Sequence, residues 1–280
     1  MNAQLPKTIL GKTGLEVTRL GYGSGHRKPM DDKQRDTILN AVVDAGINFI
    51  DTAISYGNSE ELIGKFLKHK RNKFYLATKG NLWNADDLET QLNQSLKRLK
   101  TDYVDVYQLH NPSLDQCSSA DLVDALNKFK KSGKCRWIGI STSTPDFKKF
   151  VEWNSFDIFQ IPYSALQMEN EDTMNTATNS GAGIIINGAV ALGEPNVGTG
   201  SQAIWGNFEK YNLQEFMDIN ETKTSFMLRF TLTNNNAHTA IVGTTNPEHL
   251  NMNIESVLKG PMEVDLYNQV RKRIDSNPAI

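Results

Sequence analysis

Eight short apolar runs recur along this 280-residue chain, each followed by a stretch of helical periodicity, and that alternation most constrains its fold. The runs cover residues 18–24, 49–53, 74–79, 104–110, 136–141, 158–163, 183–187 and 239–243. Most start about 22 to 32 residues apart, in the range of strand–helix–strand units, and the last two start 56 apart. Strands apolar on both faces belong to a parallel sheet covered by helices. Eight such units predict an α/β fold of one closed (β/α)8 TIM barrel rather than an open sheet. No internal repeat and no linker interrupts residues 1–280, so a single domain is expected.

The helices between the runs carry their own signals. Ile38, Ala41, Val42 and Ala45 lie at helical spacing, and Gly46 supplies a stop. Ser59 is expected to cap a helix burying Leu62, Phe66 and Leu67. Asn84 caps a helix whose Leu88, Leu92, Leu96 and Leu99 form one stripe. Leu122, Ala125, Leu126 and Phe129 stripe the next, which Gly133 ends. Thr144–Pro145 and Asn246–Pro247 pair a cap with proline at the first helical position. A weaker helix is expected over 169–179, and the one after the seventh strand is delayed until 224–232. The intervening 192–219, with its Gly, Pro and Trp205, reads as a long loop that covers the site or is anchored by its tryptophan. Residues 7–20 predict a hairpin around Gly11–Gly14 covering one end of the barrel, and 262–275 an extra C-terminal helix.

Composition removes several classes of function. A net charge of −2 gives no reason to expect nucleic acid or an anionic membrane as partner. Cys117 and Cys135 are too few for a disulfide framework and lack metal-ligand spacing, so they read as ordinary thiols and no metal is expected. The N-terminal MNAQLPKTIL has no apolar signal region, and no run is long enough to span a bilayer; a cytoplasmic location is the default expectation. A monomer or small homo-oligomer is expected.

Three of the runs end in chemistry. FIDTAISYG delivers Asp51 and Tyr56, FYLATK ends at Lys79, and VDVYQLH ends at His110. In a parallel barrel such strand ends open on one face, where active sites lie. Adjacent strands are about 5 Å apart, so these groups can meet. A lysine ammonium beside a phenol is expected to lower the tyrosine's pKa, and an aspartate holds the amine charged. A histidine can hydrogen-bond a substrate oxygen. Together they make a tuned proton donor beside a group that polarises a carbonyl. That suits carbonyl reduction, for which the hydride must come from a nicotinamide or a flavin. The glycine cluster GYGSG, which contains Ser24, lets backbone approach a cofactor but lacks the spacing of a dinucleotide fingerprint.

These residues resemble the aldo-keto reductase family, from LGKTGLEVTRLGYGS to NPEHLNMNI, most specifically in FIDTAISYG, SEELIGKFL, ATKG, SLKRLKTDYVDVYQLHNP and AIVGTTNPEHL. The resemblance implies the same barrel, a catalytic tetrad on Asp51, Tyr56, Lys79 and His110, and NADPH bound extended. Ser141 and Gln160 match the family's contacts to the nicotinamide amide; Thr142 stands where asparagine is usual. Asn187 replaces a residue that flanks the ring. Gly188, Val190 and Leu192 lie at the start of the pyrophosphate-covering loop, with Ala189 in place of a proline. Near the eighth strand, Gly243 replaces the usual lysine for the 2′-phosphate and His249 the usual arginine, while Thr244, Thr245 and Asn253 remain polar. Arg and Lys give phosphate charge-assisted bonds that glycine cannot. The Thr hydroxyls and the helix start at Asn246 can still bind an anion, so the expected cofactor is NADP(H), with weaker discrimination against NAD(H) than the family norm.

The resulting expectation is an NAD(P)H-dependent reductase of aldehydes or ketones, with Tyr56 as proton donor and His26, Ile54, Trp83 and Asn111 around the substrate. Two rivals use the same residues: a nicotinamide-occupied sensor or partner-binding module with little turnover, and a lyase or isomerase with Lys79 as Schiff-base amine.

Overall fold

The computed structural model describes residues 4–25, 31–117, 120–143, 145–195 and 197–276. The chain opens with an antiparallel hairpin, β1 (Lys7–Ile9) and β2 (Glu16–Thr18), joined through a 3-10 turn at Gly11–Thr13. Gly11 has φ +53°, and a Cβ there would lie 2.4 Å from the Gly183 nitrogen, so only glycine lets the turn press against the barrel floor.

Eight parallel strands then close a barrel in chain order: β3 (Leu20–Gly23), β4 (Phe49–Asp51), β5 (Tyr75–Gly80), β6 (Val104–His110), β7 (Cys135–Ser141), β8 (Ile158–Pro162), β9 (Gly183–Asn187) and β10 (Thr239–Val242), which pairs with β3. Around them run α1 (Asp32–Asp44), α2 (Ser59–Phe66), α3 (Ala85–Leu99), α4 (Ala120–Lys131), α5 (Asp146–Glu152), α6 (Glu171–Asn179), α7 (Gln202–Lys210), α8 (Lys223–Thr233), α9 (Pro247–Leu258) and α10 (Val264–Asp275). The predicted (β/α)8 barrel with its hairpin and extra terminal helix is what the chain adopts.

Side-chain alternation divides the core in two. Outward-facing strand residues such as Ile50, Leu76, Tyr107, Ile140 and Ile186 join the helix stripes in one large apolar cluster. Inward-facing Phe49, Ala77, Val106, Ile158, Ile185 and Ile241 meet Leu10, Leu15 and Val17 of the hairpin segment in a smaller cluster. The hairpin thus plugs the lower end of the barrel. Along the same inward rows, two residues further on, the side chains turn polar: Asp51, Lys79, Gln108 and Gln160. The apolar floor and the polar layer above it come from one period-two rule.

Several local expectations need correction. Asn58, not Ser59, precedes α2, and Ser59 is its first residue. The Ser59 hydroxyl instead donates to Ser24 Oγ at 2.8 Å and accepts from Thr52 Oγ1 at 3.1 Å, fastening the exits of β3 and β4. The stretch 192–219 is not all loop. It contains α7, capped by Ser201, and a 3-10 turn at Leu213–Phe216. Ile204, Trp205 and Phe208 supply the helical spacing, and Trp205 and Phe208 are buried. Asn84 and Asn246 do cap α3 and α9 through their side chains. Thr144 lies outside the described residues. Among the described residues, no helix is long and apolar enough to cross a membrane.

Candidate active site and cofactor groove

Register sets the upper polar layer. Asp51 on β4 stands opposite Ala77 on β5, and Lys79 lies two residues beyond, opposite Gln108 on β6. The long lysine side chain reaches back, placing Nζ 2.5 Å from Asp51 Oδ2 and 2.9 Å from the Thr52 carbonyl. The pair is sealed: Asp51 is 1% exposed and Lys79 0%. Burial pushes the Asp51 carboxyl up and the Lys79 amine down, while the charge of each group opposes neutralisation of the other.

Tyr56 and His110 close the layer from above. Their rings meet edge to face with centroids 5.5 Å apart, and Lys79 Nζ lies 5.2 Å from the centre of the Tyr56 ring. The expected downward shift of the tyrosine does not occur. Burial, then the Asp51 charge, raises the Tyr56 pKa above that of a free phenol. The physical reason is that Lys79 is engaged by Asp51 and Thr52, while the ring is desolvated and sees a carboxylate. Burial and the Lys79 charge push the His110 pKa down to about 4, so its imidazole is neutral at pH 7. Ser55 Oγ lies 3.2 Å from His110 Nδ1. If that hydroxyl donates, the ring proton sits on Nε2, the nitrogen left to face a ligand.

From this layer a groove of about 1120 Å³ runs between the C-terminal ends of β8, β9 and β10. Gln160, Asn187, Gly188, Val190 and Leu192 line its middle, and Gly243, Thr244, Thr245, His249 and Asn253 its far end. Asp51 and Tyr56 line the near end. A Cβ on Gly25 would meet the Tyr56 ring at 2.8 Å, so the β3 exit loop must be bare there. Trp205 Nε1 donates to the Ala191 carbonyl at 3.1 Å, anchoring the groove-side loop rather than covering the groove.

A model of the aldo/keto reductase family matches residues 19–274. The chain belongs to the aldo-keto reductase family. Among curated relatives, the uncharacterized oxidoreductase YqkF of Bacillus subtilis is 26% identical over 278 residues, covering 89% of this chain and 90% of that protein. The NADH-specific methylglyoxal reductase of Escherichia coli is 31% identical, over 60% of this chain and 62% of its own length. Among solved structures, the holo form of aldo-keto reductase AKR11C1 from Bacillus halodurans superposes with a TM-score of 0.86 at 24% identity, covering 99% of this chain and 97% of that one. An aldo/keto reductase of Klebsiella pneumoniae in complex with NADP and acetate gives 0.78 at 21% identity, over 96% and 95%.

For a chain of this family, the groove itself shows whether a nicotinamide dinucleotide fits. Its volume exceeds that of an ordinary small-ligand pocket, about 300–1,000 Å³. It passes two helix starts: Thr222, Thr224 and Ser225 at α8, and Thr244, Thr245 and Asn246 at α9. Helix N-termini favour phosphate. The donor set therefore fits a diphosphate. No Lys or Arg occurs among the described lining residues.

Other positions fall elsewhere. Ser24 does not line the groove; its hydroxyl donates to the Asp51 carbonyl at 2.9 Å. Ser141 and Thr142 are buried at the β7 exit beside Gln160 and are not among the lining residues. Ile54 and Trp83 are half-buried and Asn111 is exposed with φ +59°; none lines the groove. His26 lies outside the described residues. Sequence reasoning missed Ser55, Gln108 and Gln167. A glutamine inside the apolar run VDVYQLH was the available signal for Gln108.

Proposed function

We propose that this oxidoreductase reduces aldehydes or ketones with a nicotinamide dinucleotide, NADP(H) by preference and NAD(H) as a weaker choice. The carrying observation is the convergence of a buried Asp51–Lys79 pair at 2.5 Å with the Tyr56 and His110 rings at one end of a dinucleotide-sized groove. The bound nicotinamide would supply hydride to the carbonyl carbon. Tyr56, held protonated by its surroundings, gives the proton to the carbonyl oxygen. Lys79, facing the ring, offsets the charge that the phenol acquires as the proton leaves. Asp51 keeps Lys79 charged and in place. Neutral His110, with Nδ1 held by Ser55, directs Nε2–H to the carbonyl oxygen and fixes the approach of the substrate. Gln160, Asn187 and the helix starts at Thr222 and Asn246 orient the cofactor along the groove. Both cofactors are retained because the Klebsiella structure holds NADP while the E. coli relative is NADH-specific. The phosphate-bearing form rests on Thr244, Thr245 and the α9 start in place of cations.

The test is Tyr56→Phe, assayed with NADPH and NADH on a panel of aldehydes and ketones, alongside cofactor titration by tryptophan quenching. Reduction should fall by about 10²–10⁴-fold, the usual share of a positioned proton donor. Cofactor affinity should hold. Near-normal turnover would refute the assignment.

A further inference from the structure

Gln108 has no part in the chemistry just described, yet it occupies the centre of the polar layer. It is 0% exposed and stands on β6 between Lys79 of β5 and Gly139 of β7. Its Nε2 donates to Asp51 Oδ1 at 3.3 Å and to Gln160 Oε1 at 3.0 Å. Its Oε1 is buried without a partner. A flipped amide would set that oxygen against two other acceptors, so the Asp51 carboxylate and the Gln160 carbonyl together fix its orientation. β7 makes room for it: a Cβ on Gly139 would stand 3.2 Å from Gln108 Cγ. An apolar residue would fill this place without stranding a carbonyl, which is costly to bury. What the glutamine adds over an apolar residue is the two bonds it makes.

We propose that Gln108 is a positioning residue that couples the nicotinamide-side carboxamide of Gln160 to the Asp51–Lys79 pair. This rests on the reductase reading of the site. One amide group holds both ends, so the cofactor-facing group and the proton-donor machinery move as one unit. Removing its N–H groups has two separable effects. Asp51 loses a donor that favours its ionised form, so its carboxyl protonates at higher pH. Gln160 loses the 3.0 Å bond to its Oε1 and keeps only its contact with Asp51, so grip on the nicotinamide end weakens while grip on the adenosine end does not.

The groups facing Asp51 are few. Lys79 comes from β5, Tyr56 from the loop after β4 and His110 from β6; Glu60 of α2 acts on Lys79. Gly23 of β3, Gln160 of β8, Asn187 of β9 and Ile241 of β10 are uncharged. Lys79 stays in place in the variants below, so a shift of the acid limb reports on Asp51 and its donor.

Gln108→Met keeps the volume and removes the donor; Gln108→Glu keeps a hydrogen-bonding end and adds an acid. NADPH and its fragment lacking nicotinamide, 2′-phospho-ADP-ribose, are titrated by tryptophan fluorescence, and carbonyl reduction is followed from pH 4 to 9. For Gln108→Met, NADPH affinity should fall about fivefold with the fragment unchanged, the size of one neutral hydrogen bond. The acid limb of kcat should move up by about one pH unit, that of one bond to a carboxylate. Gln108→Glu should move it further, because two carboxyls then share the site. An unmoved limb and an unmoved affinity ratio in both variants, whatever their melting temperatures, would overturn the proposal. A wild-type protein that binds NADPH but reduces nothing would sink the reductase reading alone, and the affinity ratio would still decide Gln108. Failure of the wild type to bind either probe would overturn both.

Discussion

Removing Lys79 tests how the buried pair contributes to the fold. At 2.5 Å, an effective dielectric near 20 gives an attraction of about 6–7 kcal/mol between the two charges. Desolvation of both ions offsets much of this, so the pair's net worth is small while its rupture is expensive. Lys79→Met strands Asp51 in the barrel with only the Gln108 and Gln160 carboxamides beside it. The expected cost at pH 9 is about 3–5 kcal/mol. Asp51→Leu should cost a similar amount at pH 6 by stranding the ammonium. The double variant should lie within about 1–2 kcal/mol of wild type, because no uncompensated charge remains.

The pH slopes have opposite signs. In Lys79→Met, the lone carboxyl's folded pKa rises above its unfolded value, so the variant loses stability as pH rises through the folded pKa. In Asp51→Leu, the lone amine's folded pKa falls, so that variant gains stability as pH rises. Each slope approaches about 1.4 kcal/mol per pH unit. Urea unfolding at pH 6 and pH 9, monitored by tryptophan fluorescence, measures all four proteins. Additive single-variant costs, or parallel slopes, would refute the idea that the two charges are held by each other.

Two further outcomes follow from the same geometry. Ser55→Ala should release His110 Nδ1 and lower kcat about fivefold, the size of one neutral hydrogen bond, while cofactor affinity holds. An unchanged kcat would remove Ser55 from tautomer control. His238, half-buried and accepting from the Ile184 N–H at 3.1 Å, has its pKa pushed down to about 4, chiefly by desolvation. A histidine held below its unfolded value withholds a proton between about pH 4 and 6.5, so its contribution is full above 6.5 and declines as pH falls through that window. His238→Gln should flatten the melting-temperature profile there by comparison with wild type, and an identical slope would show that the imidazole is not kept neutral by the fold.

Periodicity was enough to read the barrel. Hydrophobic burial is local in its spacing: apolar runs of strand length, then stripes such as Leu88, Leu92, Leu96 and Leu99, leave few architectures open. The caps at Asn84 and Asn246 were legible for the same reason, since a cap bonds within its own first turn. Asp51, Tyr56, Lys79 and His110 could be singled out because each stands at the exit of an apolar run, where a parallel barrel collects its polar groups.

What the sequence left undecided depends on partners distant along the chain. Ser59 looked like a cap, but Ser24, 35 residues away, claims its hydroxyl. The helix Gln202–Lys210 contains Gly206 and owes its place to Trp205 and Phe208 packing inward, with Trp205 bonded to the Ala191 carbonyl. The direction of the Tyr56 shift needed the burial of its ring and the prior engagement of Lys79 by Asp51 and Thr52. Gln108 acquires its place only when β4, β6 and β8 close around one amide. Spacing along a chain determines which face a residue occupies; the desolvation and hydrogen-bond partners that set its chemistry exist only once the barrel has closed.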